Sequence, residues 1–390
     1  MPTPLIESLL DTDLYKFTMM QCVLHHFSST TVSYKLQCRN KVNLKSVLKP
    51  LKEQVKTLCQ LRFKKDELDY LASLDYIKKD FIEFLRLFQL NPDFLYFSII
   101  DDQLDVRVKG PWLHTILFEV PLLAILSESH FQQIAPNPDY QVARNKLKDK
   151  ILLIQNEPDN AEFQFSDFGT RRRFSRIWQN ELLDTLQAQL SKNFIGTSNV
   201  YFAYQKGLTP IGTMAHEFLQ ACQASGPRLI DSQKYALETW VQEYRGRLGI
   251  ALTDVIHIDA FLKDFDLYFA KLYDGIRQDS GDPIEWGEKA ILHYQKLKID
   301  PKTKTFVFSD SLTTTKALAL YHHFKGRCKP AFGIGTHLTQ DFGYPPLDIV
   351  IKMYETNNQP VAKISDSPGK QVCEDENYVK YLKSVFSQKD

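Results

Sequence analysis

Three consecutive arginines, Arg171, Arg172 and Arg173, follow Phe168 and Gly169 in the stretch FQFSDFGTRRRFSRIWQ. On a helix they would fan around the axis and stay solvated, but the glycine marks a turn, so the run is read as a local anion-binding group. Other stretches carry complementary chemistry: Arg277, Asp279 and Asp282 in GIRQDSGD, Asp310 and Ser311 in FSDS, and Gly333, Gly335 and Thr336 in FGIGT. Guanidinium groups grip phosphate oxygens two at a time, glycine loops admit backbone amides to a phosphate, and carboxylates accept hydrogen bonds from ribose hydroxyls or hold Mg2+. Together these groups describe a site for a sugar bearing several phosphates. No GxxxxGKS or GxxxxGKT stretch occurs, which excludes a P-loop.

The elements that must position these residues recur along the chain. From about residue 160, short apolar runs are each followed by a Gly-, Ser-, Thr- or Asp-containing loop and a helical stretch: FQFSDFGT, NFIGTSN, GIALTD, KLYDGIRQDSGD, TFVFSDS and PAFGIGT. This rhythm predicts repeated βα units, as a parallel sheet or α/β barrel over 131–349, with polar loops gathered at the carboxyl ends of the strands. Earlier, TVSYKLQC at 31–38 alternates Val32, Tyr34, Leu36 and Cys38 on one face like a half-buried strand, and residues 45–90 show helical spacing. LDVRVKG followed by HTILFEVPLLAIL predicts strand, Gly-Pro turn, strand and helix. We therefore expect an α+β amino-terminal domain over 1–130, joined by the segment 350–390.

Two helix starts follow from capping chemistry. Asp282, Pro283 and Glu285 predict a helix with Ile284, Ala290, Ile291, Tyr294 and Leu297 on its buried face, and Ser311 is expected to cap the helix after TFVFS. Such starts offer free N–H groups to a phosphate.

The composition, 43% apolar and 24% charged with a formal net charge of +1, gives no overall field for nucleic acid or a membrane. Six scattered cysteines, without a CxxC pair or zinc-ligand spacing, are expected to be buried and reduced. The stretch MPTPLIESLLDTDLYKF carries early acids and no basic region followed by a long apolar core, so a cytoplasmic location is expected.

The strings TDLYKFTM, FSDFGTRRRFS, FIGTSNV, GTMAHEF, ALTDVIHIDAF, GIRQDSGDP, FVFSDSL and FGIGTHLT, in this order, resemble the nicotinate phosphoribosyltransferases nearly end to end. The resemblance implies the type II phosphoribosyltransferase fold, an α+β domain on an irregular TIM-like α/β barrel, working as a homodimer with its site at the subunit interface. It implies joining of nicotinate to 5-phosphoribosyl 1-pyrophosphate (PRPP), giving nicotinate mononucleotide and pyrophosphate, the first step of NAD salvage from nicotinate. It further implies ATP as co-substrate, hydrolysed through a phosphohistidine, with Mg2+.

Carried onto this chain, the phosphorylated residue is His216 of GTMAHEF, with Glu217 a candidate to orient its ring. Phe168 and Tyr15, the latter reaching from the partner subunit, would sandwich the pyridine ring, and Arg171 would meet the pyrophosphate or the nicotinate carboxylate. Arg277 and Asp279 resemble the pair that contacts pyrophosphate and the ribose hydroxyls. The sugar phosphate would rest against Asp310, Ser311, Gly333, Gly335 and Thr336, with Lys363 and Lys370 approaching the phosphates. In GTSNV, the neutral donors among Thr197, Ser198 and Asn199 stand where the related nicotinamide enzyme has an acid for the carboxamide, which favours nicotinate. His257 is expected to pack. Two other readings, a transferase acting on nicotinamide or quinolinate without ATP and a nucleotide-sensing barrel, are disfavoured by Ser198 with His216 and by the set Phe168, Arg277 and Asp279 respectively.

Overall fold

Each of the six apolar runs forms a strand in the computed structural model, which describes residues 3–387 other than 368. The first two residues of the amino-terminal stretch and Pro368 of the Ser-Pro-Gly stretch thus lie outside it. In chain order the strands are β1 (Thr31–Cys38), β2 (Leu95–Ile100), β3 (Gln103–Pro111), β4 (Phe165–Asp167), β5 (Phe194–Thr197), β6 (Ile250–Leu252), β7 (Gly275–Gln278), β8 (Thr305–Phe308), β9 (Lys329–Ile334), β10 (Ile349–Thr356) and β11 (Gln359–Pro360). Strands β4 to β9 make one all-parallel sheet in the order β5-β4-β9-β8-β7-β6. Helices between the strands bury it, which is why its strands read as short apolar runs rather than alternating ones.

The two edges of this sheet are brought together by an irregular extended segment. Thr197 of β5 donates its N–H to Thr209 O (3.2 Å) and accepts from Ile211 N (2.9 Å), while Thr213 Oγ1 donates to Ile250 O of β6 (2.8 Å). The segment 209–213 therefore lies against both edges and curves the sheet toward a barrel.

The second sheet is antiparallel, in the order β11-β10-β1-β3-β2. Strand β10, from the far end of the chain, lies beside β1 with Tyr34 opposite Met353, so the carboxyl-terminal part of the chain completes a sheet begun near its start. The expected strand after β3 does not form. HTILFEVPLLAIL is helical, within Trp112–Thr115 and Glu119–Ile134, and the partner of β3 is the preceding β2. A uniformly apolar run carries no period to tell strand from helix. The stretch Trp112–Ile134 is long and apolar enough to cross a membrane, yet 94% of its most apolar window is buried within the protein.

The helix Pro283–Lys296 starts as expected, with Asp282 Oδ1 accepting from Ile284 N (2.9 Å) and Glu285 N (2.8 Å). Its inward residue in the first turn is Trp286, 2% exposed, and not Ile284, 43% exposed. The helix Thr314–Phe324 is capped by Thr313, not by Ser311: Ser311 takes a left-handed backbone (φ 49°) and its Oγ turns to Asp310 Oδ1 (2.9 Å). All six cysteines are free, four of them buried.

Candidate active site

The carboxyl ends of the parallel strands open into a cavity of about 610 Å³, closed on its far side by Val350 to Met353 of β10. The loop after β4 supplies Phe168 and Arg171, that after β5 Ser198, that after β7 Asp279, that after β8 Asp310 and Ser311, and that after β9 Gly335 and Thr336. Of the other expected residues, Tyr15, Arg172, His216, Glu217, Arg277, Lys363 and Lys370 also line it.

The turn after β4 is built by Asp167. Its Oδ1 accepts from Gly169 N (2.8 Å), and its Oδ2 accepts from Gln179 Nε2 and Thr197 Oγ1 (both 2.8 Å). Burial raises this carboxyl to about 6. The Phe168 ring lies on the backbone of β9: a Cβ on Gly333 would sit 2.3 Å from it, so only glycine fits there. Gly333 therefore seats the ring rather than facing the ligand.

The arginines then diverge in a 3-10 turn spanning Thr170–Arg172. Arg171 faces the cavity, with Glu119 at 3.8 Å. Arg172, at the rim, pairs with Asp348 (2.7 Å) and donates to Ile349 O (3.0 Å), tacking the turn to the start of β10. Arg173 is fully buried and pairs with Asp11 and Glu128, each at 2.7 Å.

Beside Arg277 lies a histidine–carboxylate cluster. His216 opens the helix His216–Ser225, and its Nε2 lies 2.7 Å from Asp254 Oδ1 and 3.7 Å from Asp279 Oδ2. Asp254 Oδ2 accepts from Lys363 Nζ (2.7 Å) and Ser280 Oγ (2.6 Å). Burial, with Lys363 close by, lowers His216 to about 4, so the ring is neutral near pH 7. Burial opposes ionisation of Asp254, but the hydrogen bond from the His216 ring and the ammonium of Lys363 outweigh it and hold the carboxyl well below its usual range. Asp279 likewise overcomes burial through Arg277 and is lowered; its Oδ1 accepts from Ser309 Oγ (3.0 Å). Lys370 bridges Asp310 and the Asp279 carbonyl.

Several expectations change. Thr197 and Asn199 are fully buried: Thr197 Oγ1 serves Asp167, and Asn199 caps the helix Val200–Lys206 while donating to Asp11 Oδ1 (2.7 Å), so neither side chain reaches the cavity. Ser198 Oγ reaches it but donates to Asp13 Oδ1 (2.7 Å), which places an acid beside the loop expected to be free of one. Burial pushes the Asp13 carboxyl up, and Arg171 opposes it. Tyr15 enters the cavity from its own chain, because Leu14 N is pinned to Ser198 O (2.8 Å). Asp254, not Glu217, holds the His216 ring; Glu217 is bound to Lys16. His257, half-buried, also caps the helix Ile258–Asp264, its Nδ1 accepting from Ala260 N (3.1 Å).

Asp13, Glu119, Asp254 and Lys352 are among the site groups that sequence reasoning missed. Asp254 lies two residues after the end of β6, as Asp279 lies one residue after the end of β7, a positional signal that was readable. Lys352 and Glu119 are lone charges inside apolar stretches, IVIKMY and ILFEVPLL, a weaker signal.

Models of two families match: the nicotinate phosphoribosyltransferase (NAPRTase) family over residues 163–390, and its N-terminal domain over residues 10–127. Nicotinate phosphoribosyltransferases of Burkholderia mallei and Bordetella pertussis are 56% and 53% identical to the chain, covering 98% of it and 97% and 95% of the relatives. The crystal structure of nicotinate phosphoribosyltransferase from Vibrio cholerae superposes with a TM-score of 0.95 at 40% identity, over 98% of this chain and 94% of that one. The Porphyromonas gingivalis nicotinate phosphoribosyltransferase gives 0.92 at 33%, over 97% and 99%.

Proposed function

Since the chain belongs to the nicotinate phosphoribosyltransferase family, we propose that it transfers the phosphoribosyl group of PRPP to nicotinate, coupled to ATP hydrolysis through phosphorylation of His216. The observation that carries the reading is the meeting, in one cavity, of Phe168 and Arg171 with the cluster of Arg277, Asp279 and His216. In the transfer, the bond from ribose C1 to pyrophosphate breaks and a bond from C1 to the pyridine nitrogen forms, through a state with positive charge on the sugar. No proton moves. Phe168 and Tyr15 hold the flat ring, Arg171 pairs with its carboxylate, and Arg277 takes charge from the departing pyrophosphate. The sugar phosphate rests on the loops at Ser311, Gly335 and Thr336, beside Lys370.

Substrate choice in this reading rests on Arg171, a cation opposite the nicotinate carboxylate, rather than on a loop free of acids. A neutral His216 whose Nε2–H donates to Asp254 leaves Nδ1, which has no partner among the described residues, to take the terminal phosphoryl group of ATP, the N–P bond forming as the bond to the bridging oxygen breaks and ADP leaves. Asp279 offers a carboxylate oxygen to Mg2+ carried on the phosphates, whereas Asp254, already bound by Lys363, does not suit an all-protein Mg2+ site. The bound ion would neutralise charge on the leaving pyrophosphate. We place the enzyme as a cytoplasmic homodimer in NAD salvage from nicotinate.

The test is nicotinate mononucleotide formation from nicotinate and PRPP with Mg2+, with and without ATP, and with nicotinamide in parallel. We expect product from nicotinate, faster with ATP, and loss of the ATP stimulation in His216→Ala. Product from nicotinamide alone would overturn the reading.

A further inference from the structure

Behind the cavity wall, Lys16 of the helix Leu14–His26 is fully buried, and its ammonium meets two acids from different parts of the chain. Nζ lies 2.6 Å from Glu119 Oε2 and 3.0 Å from both oxygens of Glu217. Burying an ammonium costs several kcal/mol unless it is paired with good geometry, and one carboxylate would balance it. The second leaves a net negative charge. That excess is answered from the cavity side: Lys352 and Arg171 are the further cations acting on Glu119, with Arg171 Nη1 3.8 Å from its other oxygen. Glu217 immediately follows His216 and is 6% exposed, so it cannot turn to solvent instead.

We propose that Lys16 is a positioning residue, tying Glu119, which faces Arg171, to Glu217 at the helix start that carries His216, and so fixing the anion-binding guanidinium relative to the histidine. This rests on the site assignment above. The chain Arg171–Glu119–Lys16–Glu217 links the ring-binding end of the cavity to the phosphate-handling end. Ligand anion at Arg171 draws that guanidinium away from Glu119, and Lys16 keeps Glu119 from following.

Two variants test it. Lys16→Met with Glu217→Gln removes one charge of each sign, and Glu119→Gln leaves a balanced Lys16–Glu217 pair. Both are measured by thermal melting, by steady-state kinetics with nicotinate, and by calorimetric titration with inorganic pyrophosphate, which needs no turnover. We expect folded proteins whose KM for nicotinate rises, and whose pyrophosphate affinity falls, about tenfold, the scale of one misplaced charge-assisted hydrogen bond. Lys16→Arg, which keeps the charge, should recover most of both. Folded variants with wild-type KM and wild-type pyrophosphate binding would overturn the proposal and reduce Lys16 to a structural ion. A wild-type protein that binds pyrophosphate about tenfold better than Glu119→Gln yet makes no product would instead overturn the functional reading alone.

Discussion

Two ionic networks flank the arginine turn, and they end differently. Around Arg173 every direction is answered: Nε meets Glu128 Oε1, Nη1 meets Asp11 Oδ1 and Gln179 Oε1 (3.3 Å), and Nη2 meets Asp11 Oδ2 (2.9 Å) and Leu5 O (3.5 Å). Around the cavity the groups are only half answered. Among the described residues, Arg277 Nε is buried without a partner, His216 Nδ1 has none, and the nearest anion to Arg171 is 3.8 Å away. Buried donors are normally satisfied, so a saturated network holds structure, while an unsaturated one leaves hydrogen bonds for a ligand. Neighbouring residues of one type, Arg171 and Arg173, thus belong to different machinery.

The comparison can be broken where it predicts most. Arg173→Met strands the Asp11 and Glu128 carboxylates in the core, and we expect a loss of about 3–5 kcal/mol in chemical denaturation, the usual cost of removing one partner from a buried pair. A stable Arg173→Met enzyme would show that the closed network is dispensable. Next, Arg171→Ala should cost far less stability, about 1–2 kcal/mol, since its one ion pair among the described residues is long and Lys352 still acts on Glu119, while raising the KM for nicotinate ten- to a hundredfold. A large fall in melting temperature would erase the distinction between the two arginines.

The third and smallest effect sharpens the open side. Lys352 on β10 is lowered to about 7 by burial, with Arg171 and Lys363 adding to the shift against the opposing pull of Glu119. It is charged below that value and neutral above it. Measured relative to Lys352→Met, which cancels the titration of the ligand itself, pyrophosphate affinity should therefore weaken as pH rises from 6 to 8, by up to about tenfold, a shift worth about 1.4 kcal/mol. Lys352→Met should flatten this part of the calorimetric profile.

What was legible in the sequence was what is local in the chain. A strand end and its loop are consecutive residues, so Phe168, Asp279, Asp310 and Gly335 could be placed at one sheet edge from the rhythm of runs and loops alone. The opposite wall could not. Glu119 comes from a buried helix, Lys352 from a strand paired with β1, and Asp13 from the helix start held against Ser198. Their convergence depends on pairings hundreds of residues apart, which no spacing encodes. The same limit explains Ser198, whose neutrality was read correctly but whose neighbour Asp13 was invisible.

The segment 209–213 bridges the two edges of the parallel sheet with two backbone hydrogen bonds to β5 and one side-chain bond to β6, where the neighbouring strands within the sheet share ladders of three or more residue pairs. It is the buckle of a belt, and a buckle opens before the leather tears. Amide exchange should therefore be faster at this seam than in the strands of the parallel sheet. His216 begins three residues beyond it, so its helix start can breathe while the strand ends that hold the sugar and its phosphates stay shut.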